Sequence, residues 1–127
     1  MATPALVSFD IENGDSVIKA LDENGSAPNI ALWAKLPDYE DWRLVIASEH
    51  LDQRSPLAGY KQISAALDKA QIPSHRQPTI LMRSMSDPMI VALRNAFAAT
   101  ADTRGMRLGG QKFGDKYIED AVVYRIK

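Results

Sequence analysis

His50 is the residue of this chain best placed for acid–base chemistry, because Glu49 and Asp52 flank it. An imidazole beside a carboxylate can serve as the general base of a hydrolase or transferase. Asp10 and Glu12 form a second carboxylate pair that suits the same chemistry. No nucleophile stands at a recognisable spacing around His50, so an ordinary solvated loop histidine is the alternative interpretation. A small hydrolase or transferase centred on His50 is therefore one hypothesis for this chain.

Five aromatic or basic side chains indicate a binding surface instead. They stand in or beside strand-like apolar segments: Trp33, Lys35, Arg43, Arg83 and Arg125. Side chains alternate between the two faces of a strand, so these five would share one open face if their apolar neighbours pack under helices. Such a face suits a protein interface, where Trp, Tyr and Arg dominate the binding energy, or a single-stranded nucleic acid. The alternative is that Trp33 belongs to the core and the charged side chains face solvent.

The overall charge favours a protein partner over a nucleic acid. The chain has 15 basic and 16 acidic residues and a formal net charge of −1. A nearly neutral protein has no long-range attraction for a phosphate backbone. We therefore predict a non-enzymatic accessory or interaction module that binds a protein partner or self-associates. A nucleic-acid-binding module that uses the basic and aromatic sheet face is the second hypothesis.

No metal or cofactor site is predicted. The sequence has no cysteine, which excludes a thiolate zinc site, a disulfide framework and a cysteine nucleophile. The acidic run from 38 to 41 lacks the alternating carboxylates, glycine and final glutamate of a calcium loop, so it indicates a polar turn. Strand-like sequence follows the four glycines between 105 and 114, whereas a phosphate loop opens a helix. Those glycines indicate turns and bulges.

Two apolar strands organise the predicted fold. Segments 30–36 and 42–48 flank a polar turn that begins at Pro37, a residue that cannot donate to a strand ladder. Within each strand the side chains alternate with a period of two. The apolar set expected to face the helices comprises Ile30, Leu32, Ala34, Leu44 and Ile46.

Capping signals mark three helices around these strands. The first begins at Ser8 or Asp10 and ends at Asn24-Gly25, and the other two begin at Ser55-Pro56 and Asp87-Pro88. Further strands are expected over 79–84 and 118–126, with a hairpin turn at 113–115 before the last one. The segment 49–54 is expected to be a loop. The predicted fold is one α+β domain over residues 1–127, with a mostly antiparallel sheet of about five strands, three helices and the order αββαβαββ.

The sequence also carries a compartment signal. Its apolar runs are shorter than the roughly twenty residues of a membrane span, and its N-terminus lacks a basic region followed by an apolar core. Together with the absence of cysteine, these features predict a cytoplasmic protein without membrane contact.

Segments of the chain resemble a group of small stand-alone bacterial α+β proteins. The resemblance is carried by Ala31-Leu32-Trp33, by the run Trp42-Arg43-Leu44-Val45-Ile46-Ala47 and by the C-terminal Ile118-Glu119-Asp120-Ala121. It spans most of the chain and implies a bacterial cytosolic origin. It brings no activity, cofactor or site residue with it.

Overall fold

The computed structural model describes Leu6 and residues 8–52 and 55–127. This part of the chain contains four α-helices and five strands. The helices are α1 (Ser8–Glu23), α2 (Glu49–Asp52), α3 (Pro56–Lys69) and α4 (Pro88–Ala96), and a 3-10 turn lies at Ser74–Arg76. The strands are β1 (Ile30–Lys35), β2 (Arg43–Ala47), β3 (Ile80–Met82), β4 (Arg107–Phe113) and β5 (Lys116–Ile126).

The strands form one sheet in the order β3-β2-β1-β5-β4. β1 runs antiparallel to both of its neighbours and β4 runs antiparallel to β5, whereas β2 and β3 are parallel. The parallel pair follows from its connection, because parallel neighbours need a crossover and α3 supplies it. The predicted α+β class and mostly antiparallel sheet are confirmed.

The capping signals located the helices well. The Ser55 hydroxyl accepts the Ala58 N–H (3.2 Å) at the start of α3, and the Asp87 carboxylate accepts the Met89 N–H (3.0 Å) at the start of α4. Gly25, with a φ of +73°, follows the end of α1 as expected. The predicted order lacks α2, because the segment after β2 was expected to be a loop.

The register between β1 and β2 corrects the expected pairing of faces. Trp33 lies opposite Leu44, and Leu32 lies opposite Val45. The sequence-based prediction put Leu32 and Leu44 on the same face of the sheet. The observed register differs by one residue and puts them on opposite faces. A slip of one residue transfers every side chain of a strand to the other face of the sheet. Trp33 therefore faces the same way as Leu44 and Ile46.

Helices cover both faces of the sheet. On one face α4 packs over a core that includes the strand residues Ile30, Leu32, Val45, Leu81, Phe113 and Ile118. On the other face α1 and α3 pack over Ala31, Trp33, Leu44, Ile46 and Tyr124. All six residues of β1 are buried as a result. The open sheet face that the sequence predicted at this strand is therefore wrong.

The hairpin between β4 and β5 turns at Gly114, as expected. Gly114 has a φ of +61°, which favours glycine. A Cβ at this position would also collide with the backbone carbonyl of Pro88, the first residue of α4. The turn therefore lies directly against the start of α4.

Candidate functional site

Trp33 lies beneath the first turns of α1 and not on an exposed face. Only 4% of its surface is accessible. Its indole Nε1–H donates to the Tyr124 hydroxyl (3.1 Å) and to the Asp10 carbonyl oxygen (3.2 Å), and the Tyr124 hydroxyl donates to the Ile11 carbonyl (2.6 Å). Burial raises the pKa of Tyr124 to about 12, although the hydrogen bond from Trp33 acts in the opposite direction.

Gly14 allows α1 to approach this pair closely. A Cβ at Gly14 would lie 2.8 Å from Trp33 Nε1 and would collide with the Tyr124 hydroxyl. Glycine costs stability inside a helix, so its presence here has a packing reason. The pair and Gly14 together fix α1 over β1 and β5.

Lys35 is buried as well, with its ammonium group turned toward the β1–β2 connection. Its Nζ donates to the carbonyl oxygens of Leu36 (3.1 Å) and Tyr39, and lies 3.4 Å from a Glu119 carboxylate oxygen. A buried ammonium group needs such partners. The structure therefore gives Lys35 a role in supporting this connection.

The three arginines that were predicted to share one binding face do not all lie on the same face of the sheet. Arg43 stacks over the Tyr39 ring at 4.6 Å, on the face that α4 covers. Arg125 lies on the α1 face, where it pairs with Asp22. Arg83 follows β3 and contributes, after Lys116, to lowering the pKa of Asp38. The structure therefore does not bring the five predicted binding residues together on one surface.

The predicted catalytic residues lie in α2, where His50, Glu49 and Asp52 are all exposed. The His50 backbone N–H donates to the Ser48 hydroxyl (3.2 Å), which helps to start this helix. The Asp52 carboxylate accepts the Met85 N–H (2.8 Å) and so ties α2 to the segment after β3. A catalytic role for His50 stays a prediction, as does one for Asp10 and Glu12 in α1.

Two clefts adjoin one another beside the C-terminal half of α4. One is about 370 Å³ and lies between residues 97–104 and the end of β5. The second is about 420 Å³ and shares Arg94, Ala98 and Lys127 with the first. We call the pair the basic groove, because four basic residues line it: Arg94, Arg104, Arg125 and Lys127.

Two arginines of the basic groove are held by carboxylates of α1. Arg125 meets Asp22 through two parallel hydrogen bonds of 2.8 and 2.9 Å, which lower the pKa of Asp22 and raise that of Arg125. Arg104 uses one terminal nitrogen to contact both oxygens of Asp15, at 2.9 and 2.8 Å. These pairs orient the guanidinium groups along one wall.

The other two basic residues have different surroundings. Arg94 Nε donates to the backbone carbonyl of Lys127 (2.9 Å). Within the described residues, neither Arg94 nor Lys127 forms a salt bridge. A guanidinium group has five N–H donors, so Arg94 retains donors for a ligand. The groove therefore has two arginines paired with carboxylates and two further cations.

A separate cleft of about 290 Å³ lies near the start of α1. Its lining includes both tryptophans of the sequence, and we call it the aromatic cleft. The described lining residues are Leu6, Asp10, Trp33, Asp41, Trp42, Gln77, Pro78 and Thr79. Trp33 lines this cleft while its hydrogen-bond partner Tyr124 lines the basic groove.

Sequence reasoning singled out one residue of the basic groove, and it named Asp10 and Trp33 of the aromatic cleft. Arg125 and Trp33 were singled out, but Arg94, Arg104 and Lys127 were not. Arg94 and Arg125 are distant in sequence, and only the fold brings them together. The available signal was the pair of carboxylates Asp15 and Asp22 on α1, whose spacing of seven residues places them on one helix face.

Other kinds of site are limited by two findings. Among the described residues, no three His, Cys, Asp or Glu side chains are grouped so that they could hold a metal ion. No helix in that part of the chain has the length and apolar character to cross a membrane.

No protein-family model, no curated protein and no solved structure matches this chain.

Proposed function

We propose that this chain is a cytoplasmic, non-enzymatic binding module whose basic groove receives an acidic segment of a protein partner. The observation that carries the proposal is the groove itself: two adjoining clefts, of about 370 and 420 Å³, that share Arg94 and Lys127. A groove made of two adjoining clefts suits an extended peptide segment better than a compact metabolite.

The chemistry of the groove supports a carboxylate-bearing partner. Arg94 retains N–H donors, and a planar guanidinium group binds carboxylates through paired hydrogen bonds. Phe97 lines the same groove and offers an apolar surface to a neighbouring side chain. Arginine beside an aromatic residue is typical of the energetic centre of a protein interface.

The acidic residues around the groove argue against a nucleic acid. Asp102 lines the groove, and the carboxylates of Asp15 and Asp22 neutralise the charges of Arg104 and Arg125. Nucleic-acid affinity grows with the number of phosphates that a surface neutralises. A short acidic peptide needs only the few cations that remain. Self-association, the other form of the interaction hypothesis, stays a prediction.

The test is a selection of peptides from a random display library on the immobilised protein. We expect the selected peptides to be enriched in Asp and Glu. Fluorescence anisotropy then measures their affinity for the wild-type protein and for the double variant Arg94→Gln, Lys127→Gln. Loss of two partly exposed charge contacts should weaken binding about tenfold.

The matched control removes two exposed lysines from α3, as Lys61→Gln with Lys69→Gln, and should bind like the wild type. A single-stranded oligonucleotide serves as the competing ligand. Selected peptides without acidic enrichment, equal affinity of both double variants, or tighter binding of the oligonucleotide would each contradict the proposal.

A further inference from the structure

The aromatic cleft has the chemical character of a cation site and is independent of the basic groove. Of the described residues that line it, Asp10 and Asp41 are the only ones with a charged side chain. The described lining therefore carries acidic side chains and no basic one.

Two tryptophans belong to the lining, together with the apolar residues Leu6 and Pro78. Trp42 is half-buried, whereas only 4% of the surface of Trp33 is accessible. Indole rings carry a negative electrostatic face, which attracts ammonium and guanidinium groups. Aromatic surface and carboxylates in one cleft therefore act on the same kind of ligand.

The polar residues of the lining also favour a hydrogen-bond donor. The Gln77 amide nitrogen donates to the Ile72 carbonyl (2.8 Å), which leaves the amide oxygen as the atom that can accept from a ligand. Thr79 adds a hydroxyl group beside it. Ammonium and guanidinium groups are donors only, so they match an amide oxygen and carboxylates together.

The size of the cleft limits the ligand. Sites for drug-sized ligands measure about 300–1,000 Å³. The aromatic cleft, at about 290 Å³, falls just below that range. It accommodates a cationic group on a short carbon chain and not a large cofactor.

From these observations we propose that the aromatic cleft binds a small organic cation, namely an alkylammonium or alkylguanidinium group. Asp41 provides the charge partner at the rim, and Trp42 provides the ring surface. The cation belongs either to a free amine or to a Lys or Arg side chain of another protein.

Intrinsic fluorescence tests this proposal directly, because both tryptophans of the chain line the cleft. The probes are n-butylammonium, ethylguanidinium and a blocked arginine (N-acetyl-arginine methylamide), with n-butanol and butyrate as neutral and anionic analogues. We expect a saturable fluorescence change with the cations alone. Tighter binding of the blocked arginine than of ethylguanidinium assigns the site to a protein side chain, and the reverse assigns it to a free small cation.

The variant Asp41→Asn should weaken cation binding about fivefold, as expected for loss of one exposed ion pair. Glu40→Gln is the matched control, because this neighbouring carboxylate does not line the cleft. Thermal melting of both variants establishes that they are folded. The proposal is overturned if no cation gives a saturable change, if n-butanol or butyrate acts equally, or if the folded Asp41→Asn variant binds like Glu40→Gln.

Discussion

The indole Nε1–H of Trp33 donates to the hydroxyl of Tyr124 at 3.1 Å, and this bond joins residues that line different cavities. Trp33 lines the aromatic cleft and Tyr124 lines the basic groove. Both residues also bond to backbone carbonyls in the first turns of α1. The position of α1 over this pair therefore shapes the walls of both cavities at once.

Replacing Gly14 with alanine should destabilise the protein. The new methyl group would collide with the Tyr124 hydroxyl and lie 2.8 Å from Trp33 Nε1, and both rings are fixed by their hydrogen bonds. Overpacking of this kind costs about 1–3 kcal/mol, which exceeds the gain in helix propensity. Urea denaturation measures the free energy of unfolding.

The matched control for this variant is Gly59→Ala in α3, the helix on the same face of the sheet. A Cβ there would lie 2.7 Å from the flexible end of the Met82 side chain, which can move aside. The helix-propensity gain of about 0.5–1 kcal/mol should then leave the variant at least as stable as the wild type. Equal losses in both variants would show that the Trp33–Tyr124 pair is not what limits residue 14.

Replacing Tyr124 with phenylalanine should remove about 1–2 kcal/mol from the free energy of unfolding. The change deletes the donor to the Ile11 carbonyl and one of the two acceptors of the Trp33 N–H, in a largely buried region. Tyr117→Phe is the control, because Tyr117 is exposed on β5. The same denaturation assay should show no change for the control.

The pKa of Tyr124 also predicts how stability depends on alkaline pH. This phenol has a pKa of about 12 in the folded protein against an ordinary value of 10.0. Because the folded state favours the protonated phenol, its contribution is complete below pH 10 and is lost as the pH rises through about 12. Absorbance near 295 nm should therefore show a late-ionising phenolate that Tyr124→Phe lacks. Ionisation of all phenols near pH 10 would contradict this.

Local sequence signals predicted the elements of this fold better than their relative placement. The cap-then-proline pairs at Ser55 and Asp87 depend on neighbouring residues only, and both starts were correct. The β1–β2 register depends on the path of the connection between these strands, where Lys35 donates hydrogen bonds to the Leu36 and Tyr39 carbonyls. The sequence did not specify this path, so the open face proposed for Trp33 was wrong, and the alternative that Trp33 belongs to the core is the one that the structure shows.

A sequence signal for burial on both faces was nevertheless present. β1 reads Ile-Ala-Leu-Trp-Ala and β2 contains Leu-Val-Ile-Ala, which are nearly continuous apolar runs. Such runs are typical of strands covered on both sides, whereas a half-exposed strand alternates apolar with polar residues. The basic groove had no comparable local signal, because its members come from α4, from the segment before β4 and from the end of β5.

Replacing Lys35 with methionine should destabilise the β1–β2 connection. Methionine preserves the apolar stem but removes the donor to the Leu36 and Tyr39 carbonyls. Hydrogen bonds to charged groups contribute about 1.5–3 kcal/mol, so the free energy of unfolding should fall by about 2 kcal/mol. Lys19→Met on the exposed side of α1 is the control. Hydrogen exchange should show faster exchange at Tyr39, and an unchanged rate there would refute this role.

The two ion pairs between α1 and the basic groove should differ in strength. Asp22 and Arg125 have side-chain exposures of 36% and 25% and meet through two parallel bonds, whereas Asp15 and Arg104 are 45% and 60% exposed and meet through one nitrogen. A double-mutant cycle with Asp22→Asn and Arg125→Gln should give a coupling of about 1 kcal/mol. The corresponding cycle for Asp15 and Arg104 should give about 0.3 kcal/mol or less.

Acid titration gives a second measurement of the stronger pair. Arg125 holds the pKa of Asp22 below its ordinary value of 3.8. The folded state therefore favours the ionised carboxylate, and the contribution of Asp22 is complete above about pH 4 and is lost as the pH falls through the folded pKa. The Asp22→Asn variant should lose less stability than the wild type between pH 4 and pH 2. Equal losses in both proteins, or equal coupling in the two cycles, would mean that Arg125 is held no more firmly than Arg104.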